Sequence, residues 1–347
     1  MTSDIWLASV VAGEDLDHES AKFAMSHIMD GVASPEWIKS LILALKEKGE
    51  TPTEVAGFVA AMMDRSPSVV ISGISLDIVG TGGDQAGTVN ISTTAAIVAA
   101  ATGIKVVKHG NRAASSKSGS ADVLEALGIN LSADAQAVTN SVVTVGIGFC
   151  FAPNFHPAMK YAAPVRKELG IPTVFNILGP LANPAQPKAM VVGVANLDRA
   201  QLVAEVLSER GCFGFVVRGD DGLDEITTTS TTTIWQIAGS RVHKHTLDPR
   251  LLGINFASPS SLVGGDATHN ARVLTDVLNP SLHDADLELI RTTVCLNAAA
   301  GIIAADKAQR KNFEDVTLSD WELALEKARA VIKSGEAANL LQAWQNF

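Results

Sequence analysis

Hydrophobic residues recur at helical spacing through roughly the first 70 residues of the chain. The segments 21–29, 36–48 and 52–63 place apolar side chains three or four positions apart. Ser34-Pro35 and Thr51-Pro52 precede two of these segments, and such pairs are typical helix starts. Helical segments without strands predict a small helical bundle at the amino terminus.

After Pro67 the pattern changes, because short β-branched runs alternate with alanine-rich helical runs. This alternation predicts crossover connections and a largely parallel sheet. A threonine-rich stretch, 226–237, followed by 241–246 predicts a β-ribbon. The other predicted strands are 75–79, 104–109, 146–151 and 213–218, and the predicted helices are 92–102, 119–127, 157–169, 198–210, 267–278, 285–305 and 318–344.

We therefore expect an α/β protein with two domains. Residues 1–72 form a small all-helical amino-terminal domain, joined by helices from about 157–190. Residues 73–347 form a larger α/β domain with a central, mostly parallel sheet flanked by helices.

Composition narrows the function classes. The chain has 27 basic and 37 acidic residues, a net charge of −10, which argues against a general nucleic-acid binder. Its three cysteines form no CxxC pair, as expected in a reducing cytosol and without a zinc site. The most apolar stretches, 95–101 and 298–305, are far shorter than the ~20 residues of a membrane helix. We expect a cytoplasmic protein with no nucleic-acid or membrane partner.

A glycine-rich loop follows the first predicted strand. It reads GTGGD from Gly80 to Asp84, and Asn90, Ser92 and Thr93 begin the next helix. Bare backbone N–H groups at a helix start favour an anion, although Asp84 would repel a bare phosphate unless a cation or a sugar hydroxyl lies nearby. The loop matches neither the dinucleotide fingerprint nor the Walker pattern. An ordinary strand-to-helix turn is the alternative.

A second loop, residues 108–122, concentrates basic residues in this acidic chain. Lys108, His109, Arg112 and Lys117 are interleaved with four serines and two glycines. Cations, hydroxyls and backbone amides are the donors that bind a polyphosphate, so we expect such a ligand here. The alternative is a solvated basic loop.

An acidic turn follows the strand at 213–218. It holds Asp220-Asp221 and Asp224-Glu225 at the carboxyl end of a predicted strand, where α/β sheets bind ligands. Such carboxylates suit Mg²⁺. General acid/base catalysis and a solvated turn remain alternatives on this segment alone.

Six motifs together resemble the anthranilate phosphoribosyltransferase family over essentially the whole chain. They are GTGGD, NIST, KHGNRAASSKSGSADVLEALG, FNILGPLANP (175–184), GLDE and GGDATHNA (264–271). The resemblance implies Mg²⁺-dependent transfer of a phosphoribosyl group from phosphoribosyl pyrophosphate to the amine of anthranilate, the second step of tryptophan biosynthesis from chorismate. It also implies two Mg²⁺ ions per subunit and a homodimer joined through the helical domain.

The resemblance assigns site residues by position but no nucleophile and no general base. Ser92, Asp224 and Glu225 match the metal ligands. Gly80, Asn111, Arg166, His109 and His156 match contacts of anthranilate or residues along its route; His156 is alternatively a turn residue before Pro157. The implied phosphoribosyl pyrophosphate contacts are Gly80, Gly83, Asp84, Thr88, Asn90, Ile91, Ser92, Thr93, Lys108, His109, Gly110, Asn111, Arg112, Ala113, Ala114, Ser115, Ser116 and Ser120.

Two other functions are alternatives to this transfer reaction. A pyrimidine nucleoside phosphorylase-like enzyme shares the fold, but its reaction would not require Asp224-Glu225 as a metal-binding pair. A non-catalytic nucleic-acid-binding paralogue would have a basic surface and a damaged acidic pair. Pro172, Arg218 and Thr268-His269 depart from the family pattern and concern the aromatic site.

Overall fold

The computed structural model describes residues 3–113 and 117–347, and its first four elements are helices. They are α1 (Ser3–Val11), α2 (His18–Met29), α3 (Pro35–Lys48) and α4 (Pro52–Met63). The predicted starts of α3 and α4 are confirmed: the Ser34 hydroxyl accepts from the Trp37 N–H, and Thr51 forms a capping box with Glu54. The prediction did not include α1 and began α2 three residues too late.

In the described part of the chain, seven strands form one sheet in the order β3-β2-β1-β4-β5-β6-β7. The first five strands are parallel, and β6 and β7 continue the sheet as an antiparallel ribbon. The predicted fold class is thus confirmed. The strands are β1 (Ser75–Gly80), β2 (Lys105–Gly110), β3 (Ile147–Phe151), β4 (Ala189–Gly193), β5 (Phe213–Gly219), β6 (Thr232–Ala238) and β7 (Arg241–Leu247).

Helices cover both faces of this sheet. They are α5 (Ile91–Ala101), α6 (Ser120–Ala126), α7 (Ala135–Thr144), α8 (Ala152–Phe155), α9 (Ala163–Leu169), α10 (Phe175–Leu181), α11 (Leu197–Glu209), α12 (Ala267–Leu278), α13 (Ala285–Arg310), α14 (Leu318–Lys333) and α15 (Glu336–Gln345). The predicted helix 157–169 was wrong in its first part, which is a 3-10 turn at Pro157–Tyr161. The predicted helix 318–344 is two helices, because Gly335 takes a left-handed φ of 81° between them.

The two faces of β1 contact different cores. Leu76 and Ile78 belong to a core that includes α5 and α13, whereas Val79 belongs to a core shared with α2, α3 and α4. Burial on both faces is expected of a parallel strand between two helical layers.

Helix α13 lies in the middle of the first core. By length and composition alone it could cross a membrane, yet 67% of its most apolar 18-residue window is buried inside the protein. It contacts β1, β4, β5, α5 and α14. These contacts identify it as a core helix of this fold.

The strand order reverses between β1 and β4. From β1 the chain adds β2 and β3 on one side, then returns to place β4 on the other side. In open α/β sheets ligands bind at such a switch point, beyond the carboxyl ends of the strands. Gly80 and Gly193 end these two strands and pair with each other there.

Candidate active site

Gly80 and Gly193 bring the acidic loop against the strand ends. A Cβ atom on Gly193 would overlap the backbone carbonyl of Asp224, and a Cβ on Gly80 would overlap its carboxylate. No side chain fits at either position without moving Asp224. Glycine at both strand ends therefore lets the acidic loop reach the switch point.

The glycine loop binds the same carboxylate. Gly82 and Gly83 have left-handed φ angles of 67° and 87°, which glycine adopts without strain. The Gly82 N–H donates to Asp224 Oδ2 at 2.7 Å. A Cβ on either glycine would meet no atom of the described residues within 4 Å, so this part of the loop borders open space.

The start of α5 already carries a carboxylate. The Ser92 N–H donates to Glu225 Oε1 at 3.1 Å. One of the backbone N–H groups that were expected to bind an anion is therefore already bonded to a carboxylate of the protein. Asn90 makes no side-chain cap; its amide donates to Ser118 O at 3.3 Å, and its Oδ1 accepts from Asn270 Nδ2 at 2.8 Å. Helix α5 thus joins the acidic loop to the basic loop.

Three carboxylates lie close together at this edge. Asp224 is buried, and burial together with Asp84 raises its pKa to about 7. Burial and Asp224 raise the pKa of Glu225 well above its ordinary value. These hard oxygen donors repel one another, and a divalent cation such as Mg²⁺ would relieve that repulsion. Within 3–113 and 117–347, no group of three or more His, Cys, Asp or Glu forms a ready-made metal cluster.

Lys108 supplies a buried cation beside these carboxylates. The residue is 1% exposed, and its Nζ donates to Ile78 O at 2.6 Å. Burial lowers the pKa of Lys108, while Asp77, Glu225 and Asp224 oppose this shift. The acidic residues therefore favour the charged ammonium.

Asp77 is a buried carboxylate that was not assigned from the sequence. It accepts from Asn183 Nδ2 at 2.8 Å and from the His109 N–H at 3.3 Å, and burial raises its pKa to about 6. The available signal was a charged residue inside an apolar strand. Asp77 links β1 to the loop that follows α10.

In the basic loop, Arg112 is already paired with carboxylates of the protein. Its guanidinium contacts Asp122 Oδ1 at 3.0 Å and binds both oxygens of Glu125 at 2.7 and 2.9 Å. It is therefore a paired cation that orders the loop. Asp122 Oδ2 also accepts from the N–H groups of Ala113 and Gly119.

Other predicted positions surround this loop. The Asn111 Oδ1 accepts from the Arg112 N–H at 2.7 Å, and the Thr93 hydroxyl donates to Ser120 Oγ at 3.0 Å. A Cβ on Gly110 would lie 3.0 Å from the Phe149 ring. Thr88 forms an isolated bridge with Val263, and Ile91 is buried at the start of α5. Ala114, Ser115 and Ser116 lie outside the described residues.

Two buried histidines lie next to each other on the other face of the sheet. His109 Nδ1 donates to Gly179 O at 3.0 Å and His156 Nε2 to Ala182 O at 2.7 Å, with ring centroids 5.2 Å apart. Burial and His156 lower the pKa of His109 to about 3, and burial lowers that of His156. Both rings are neutral, and His109 Nε2 has no hydrogen-bond partner among the described residues.

Arg166 on α9 has no carboxylate partner in the described part of the chain. It is half-buried, and its guanidinium lies 5.4 Å from the centre of the Phe175 ring. Burial lowers its pKa. An unpaired guanidinium on an aromatic ring can bind a planar carboxylate.

Lys108 and His109 connect the acidic pair on one face of the sheet to the histidine pair on the other. They are neighbours on β2, so their side chains point to opposite faces. Lys108 lies on the side of the acidic pair, and His109 contacts His156. A separate cavity of about 650 Å³, lined by Thr102, Lys105 and Gln309 among others, lies at the opposite edge of the sheet and shares no residue with this site.

Comparison with known proteins agrees with this architecture. The chain matches the glycosyl transferase family, a/b domain, over residues 72–338 and the glycosyl transferase family, helical bundle domain, over residues 6–66. It is 49% identical to the anthranilate phosphoribosyltransferase of Arthrobacter sp. (strain FB24) over 97% of this chain and 94% of that protein. It is 47% identical to that of Nocardia farcinica over 97% of each chain.

Solved structures give the same result. The anthranilate phosphoribosyltransferase of Thermus thermophilus matches with a TM-score of 0.89 and 39% identity, over 98% of each chain. The Saccharomyces cerevisiae enzyme, in complex with phosphoribosyl pyrophosphate and Mg, matches with a TM-score of 0.87 and 28% identity, over 99% of this chain and 97% of that one. The chain therefore belongs to the anthranilate phosphoribosyltransferase family.

Proposed function

We propose that this protein transfers the 5-phosphoribosyl group of phosphoribosyl pyrophosphate to the amine of anthranilate, forming N-(5-phosphoribosyl)anthranilate and pyrophosphate. One observation carries the proposal: Asp224 and Glu225 are bonded to the glycine loop and to the start of α5, beside the buried Lys108. The names of the relatives and the yeast complex with phosphoribosyl pyrophosphate and Mg support it.

The reaction breaks the bond between ribose C1 and pyrophosphate and forms a bond between C1 and nitrogen, with loss of one proton from that nitrogen. Negative charge grows on the leaving group, where the Lys108 ammonium and the loop amides would stabilise it. Mg²⁺ held by Asp224, Glu225 and Ser92 would supply further positive charge. The anthranilate amine has a free lone pair, so it needs positioning more than deprotonation.

The other face of the site fits the aromatic substrate. The unpaired Arg166 guanidinium would bind the carboxylate of anthranilate, and the neutral rings of His109 and His156 would border the aromatic ring. Gly80, at the end of β1, and Asn111, directly after β2, would also contact anthranilate. The glycine loop, the start of α5 and the basic loop would bind phosphoribosyl pyrophosphate through the positions assigned from the sequence.

Four further expectations belong to this proposal. They are two Mg²⁺ ions per subunit, a cytoplasmic protein, a boundary between the domains near residue 72, and a homodimer joined through the helical domain. For the last, the exposed apolar residues Ile5, Val11 and Phe23 on α1 and α2, with Val32 in the loop after α2, offer a surface that a second copy could cover.

Loss of anthranilate fluorescence tests the function directly. Wild-type protein with phosphoribosyl pyrophosphate should consume anthranilate only when Mg²⁺ is present. Absence of turnover at every Mg²⁺ concentration would contradict the proposed reaction.

Substitution of the acidic pair tests the metal assignment separately. The double variant Asp224→Asn/Glu225→Gln should lose at least about 100-fold in turnover, because it keeps the side-chain shapes but removes both negative charges. Asp306→Asn is the matched control, since this exposed carboxylate lies at the opposite edge of the sheet. Undiminished turnover of the double variant would refute the metal role while leaving the reaction intact.

A further inference from the structure

We infer that Asn297 of α13 is the residue that positions the acidic pair Asp224-Glu225. Its side chain is fully buried and binds both backbone groups of Ile226, the residue after Glu225. Asn297 Oδ1 accepts from the Ile226 N–H at 3.0 Å, and Asn297 Nδ2 donates to Ile226 O at 2.7 Å. The side-chain amide thus pairs with the loop backbone as a neighbouring strand would.

The asparagine is itself held firmly. Its Nδ2 also donates to Thr293 O, one turn earlier on α13, at 2.9 Å. Helix α13 packs on β1, β4 and β5, and a Cβ on its Gly301 would lie 2.8 Å from Ile78 Cδ1 on β1. Asn297 therefore fixes the acidic loop to the helix that packs on the strand leading into the glycine loop.

The other flank of the acidic pair is held differently. Asp221 accepts from the Thr227 hydroxyl at 2.7 Å, from the Thr229 hydroxyl and from the Leu223 N–H at 3.3 Å. Asp221 is exposed, so water can replace these bonds when one is lost. The bonds of Asn297 lie in the core, where an unpaired backbone group has no such replacement. Two further buried bonds hold the loop beyond Ile226: the Thr227 N–H donates to Thr232 Oγ1 at 3.1 Å, and the hydroxyls of Thr228 and Thr293 lie 2.6 Å apart. Asn297 differs from these in binding both backbone groups of the residue next to Glu225, so its substitution acts most directly on the acidic pair.

This inference rests on the proposed function, because it assigns Asn297 as a positioning residue for the phosphoribosyl pyrophosphate site. Loss of its two bonds would let Glu225 leave the Ser92 N–H and let Asp224 leave the Gly82 N–H. Groups that orient metal ligands typically change metal affinity or activity by about 10–100-fold when they are substituted. A purely structural asparagine would instead change the temperature of unfolding and nothing else.

The test compares Asn297→Leu, which has nearly the same size, with the control Thr293→Val. Thr293 is equally buried on the same helix, and its hydroxyl is 2.6 Å from the Thr228 hydroxyl, so the control removes one loop contact without touching Ile226. Asn297→Ala is the second variant, because its smaller side chain leaves room for a water at the Ile226 backbone if the leucine prevents folding. Folding of each variant is checked by its unfolding temperature.

Magnesium pyrophosphate is the probe, and its binding is measured by titration calorimetry, independently of turnover. We expect the Asn297 variants to bind it about 10–100-fold more weakly, the half-saturating Mg²⁺ concentration in the fluorescence assay to rise in parallel, and KM for anthranilate to stay unchanged. Thr293→Val should behave as wild type. Wild-type binding by the Asn297 variants, or an equal loss in Thr293→Val, would overturn the inference. A wild-type protein that neither binds the probe nor turns over would overturn the proposed function and the inference with it.

Discussion

Alanine at Gly193 should damage both catalysis and stability severely, whereas alanine at Gly80 should damage catalysis but lower stability only slightly. The two glycines pair with each other across β1 and β4, and both face Asp224. A Cβ on Gly193 would overlap the Asp224 carbonyl and lie 3.2 Å from its Cα. A Cβ on Gly80 would overlap the end of the Asp224 side chain and lie 3.4 Å from its backbone oxygen, an ordinary contact.

These distances set the expected magnitudes. Carbon atoms in contact prefer about 3.5–4.0 Å, so Gly193→Ala must move the backbone of Asp224 by more than about 1 Å. Overpacking of this kind costs about 1–3 kcal/mol of the free energy of unfolding, and a 1 Å misplacement can cost about 100-fold in rate. Gly80→Ala needs only a rotation of the carboxylate. It loses the 2.7 Å bond from the Gly82 N–H, worth about 1 kcal/mol of stability.

Urea denaturation and kcat/KM for phosphoribosyl pyrophosphate measure the two effects on the same preparations. Gly193→Ala should lower both kcat/KM and the free energy of unfolding. Gly80→Ala should lower kcat/KM while its free energy of unfolding stays within about 1 kcal/mol of wild type. A Gly193→Ala protein with wild-type kcat/KM and wild-type stability would refute the close approach of the acidic loop to β4.

Three other predictions concern single residues. The pKa of His109 is lowered in the folded protein, so between pH 6 and pH 4 the imidazole takes up a proton only when the chain unfolds. The free energy of unfolding, measured by urea denaturation, should therefore fall more steeply with falling pH in wild type than in His109→Asn, by up to about 1.4 kcal/mol per pH unit. Arg166→Lys should raise KM for anthranilate about tenfold and leave KM for phosphoribosyl pyrophosphate unchanged, because lysine keeps the charge but loses the planar fork. Arg199→Met should cost about 3–5 kcal/mol of unfolding free energy, because it leaves the fully buried Glu50 carboxylate without its partner, and adding Glu50→Gln should recover part of that loss.

Most of the fold could be predicted from periodicity, and the errors have local causes. Strand β4 was not among the predicted strands, because its five residues, AMVVG, are too few for a clear alternation. It nevertheless pairs with β1 at the centre of the sheet. Residues 227–231 were predicted as strand because threonine favours strands. They form a loop instead, and the hydroxyls of Thr227, Thr229 and Thr231 bond to the side chains of Asp220 and Asp221. Hydrogen bonding to nearby aspartates outweighed the strand preference here.

The site could be predicted only where its residues are adjacent in sequence. The glycine loop, the basic loop and the acidic pair each form a short segment with a recognisable composition. Their partners lie far away: Asn183 is 106 residues from Asp77, and Asn297 is 71 residues from Ile226. An asparagine inside an apolar helix has no local feature that identifies its partner. Likewise, the sequence predicts Arg112 to be an unpaired cation, whereas in the folded protein it forms ion pairs with Asp122 and Glu125.

The register of one strand sets the geometry between the two halves of the site. Lys108 and His109 are consecutive on β2, and Lys108 pairs with Phe149 while His109 pairs with Cys150 on β3. A shift of β2 by one residue would exchange their faces, moving the ammonium to the histidine side and the imidazole to the carboxylate side. Pairing with β1 on the other side, at Ser75 and Leu76, holds the same register. Because the proposed reaction joins two substrates at one carbon atom, their relative position must be fixed within a fraction of an ångström. A doubly paired inner strand provides that precision, since its residues repeat every 3.3 Å or so and cannot slide independently of their neighbours.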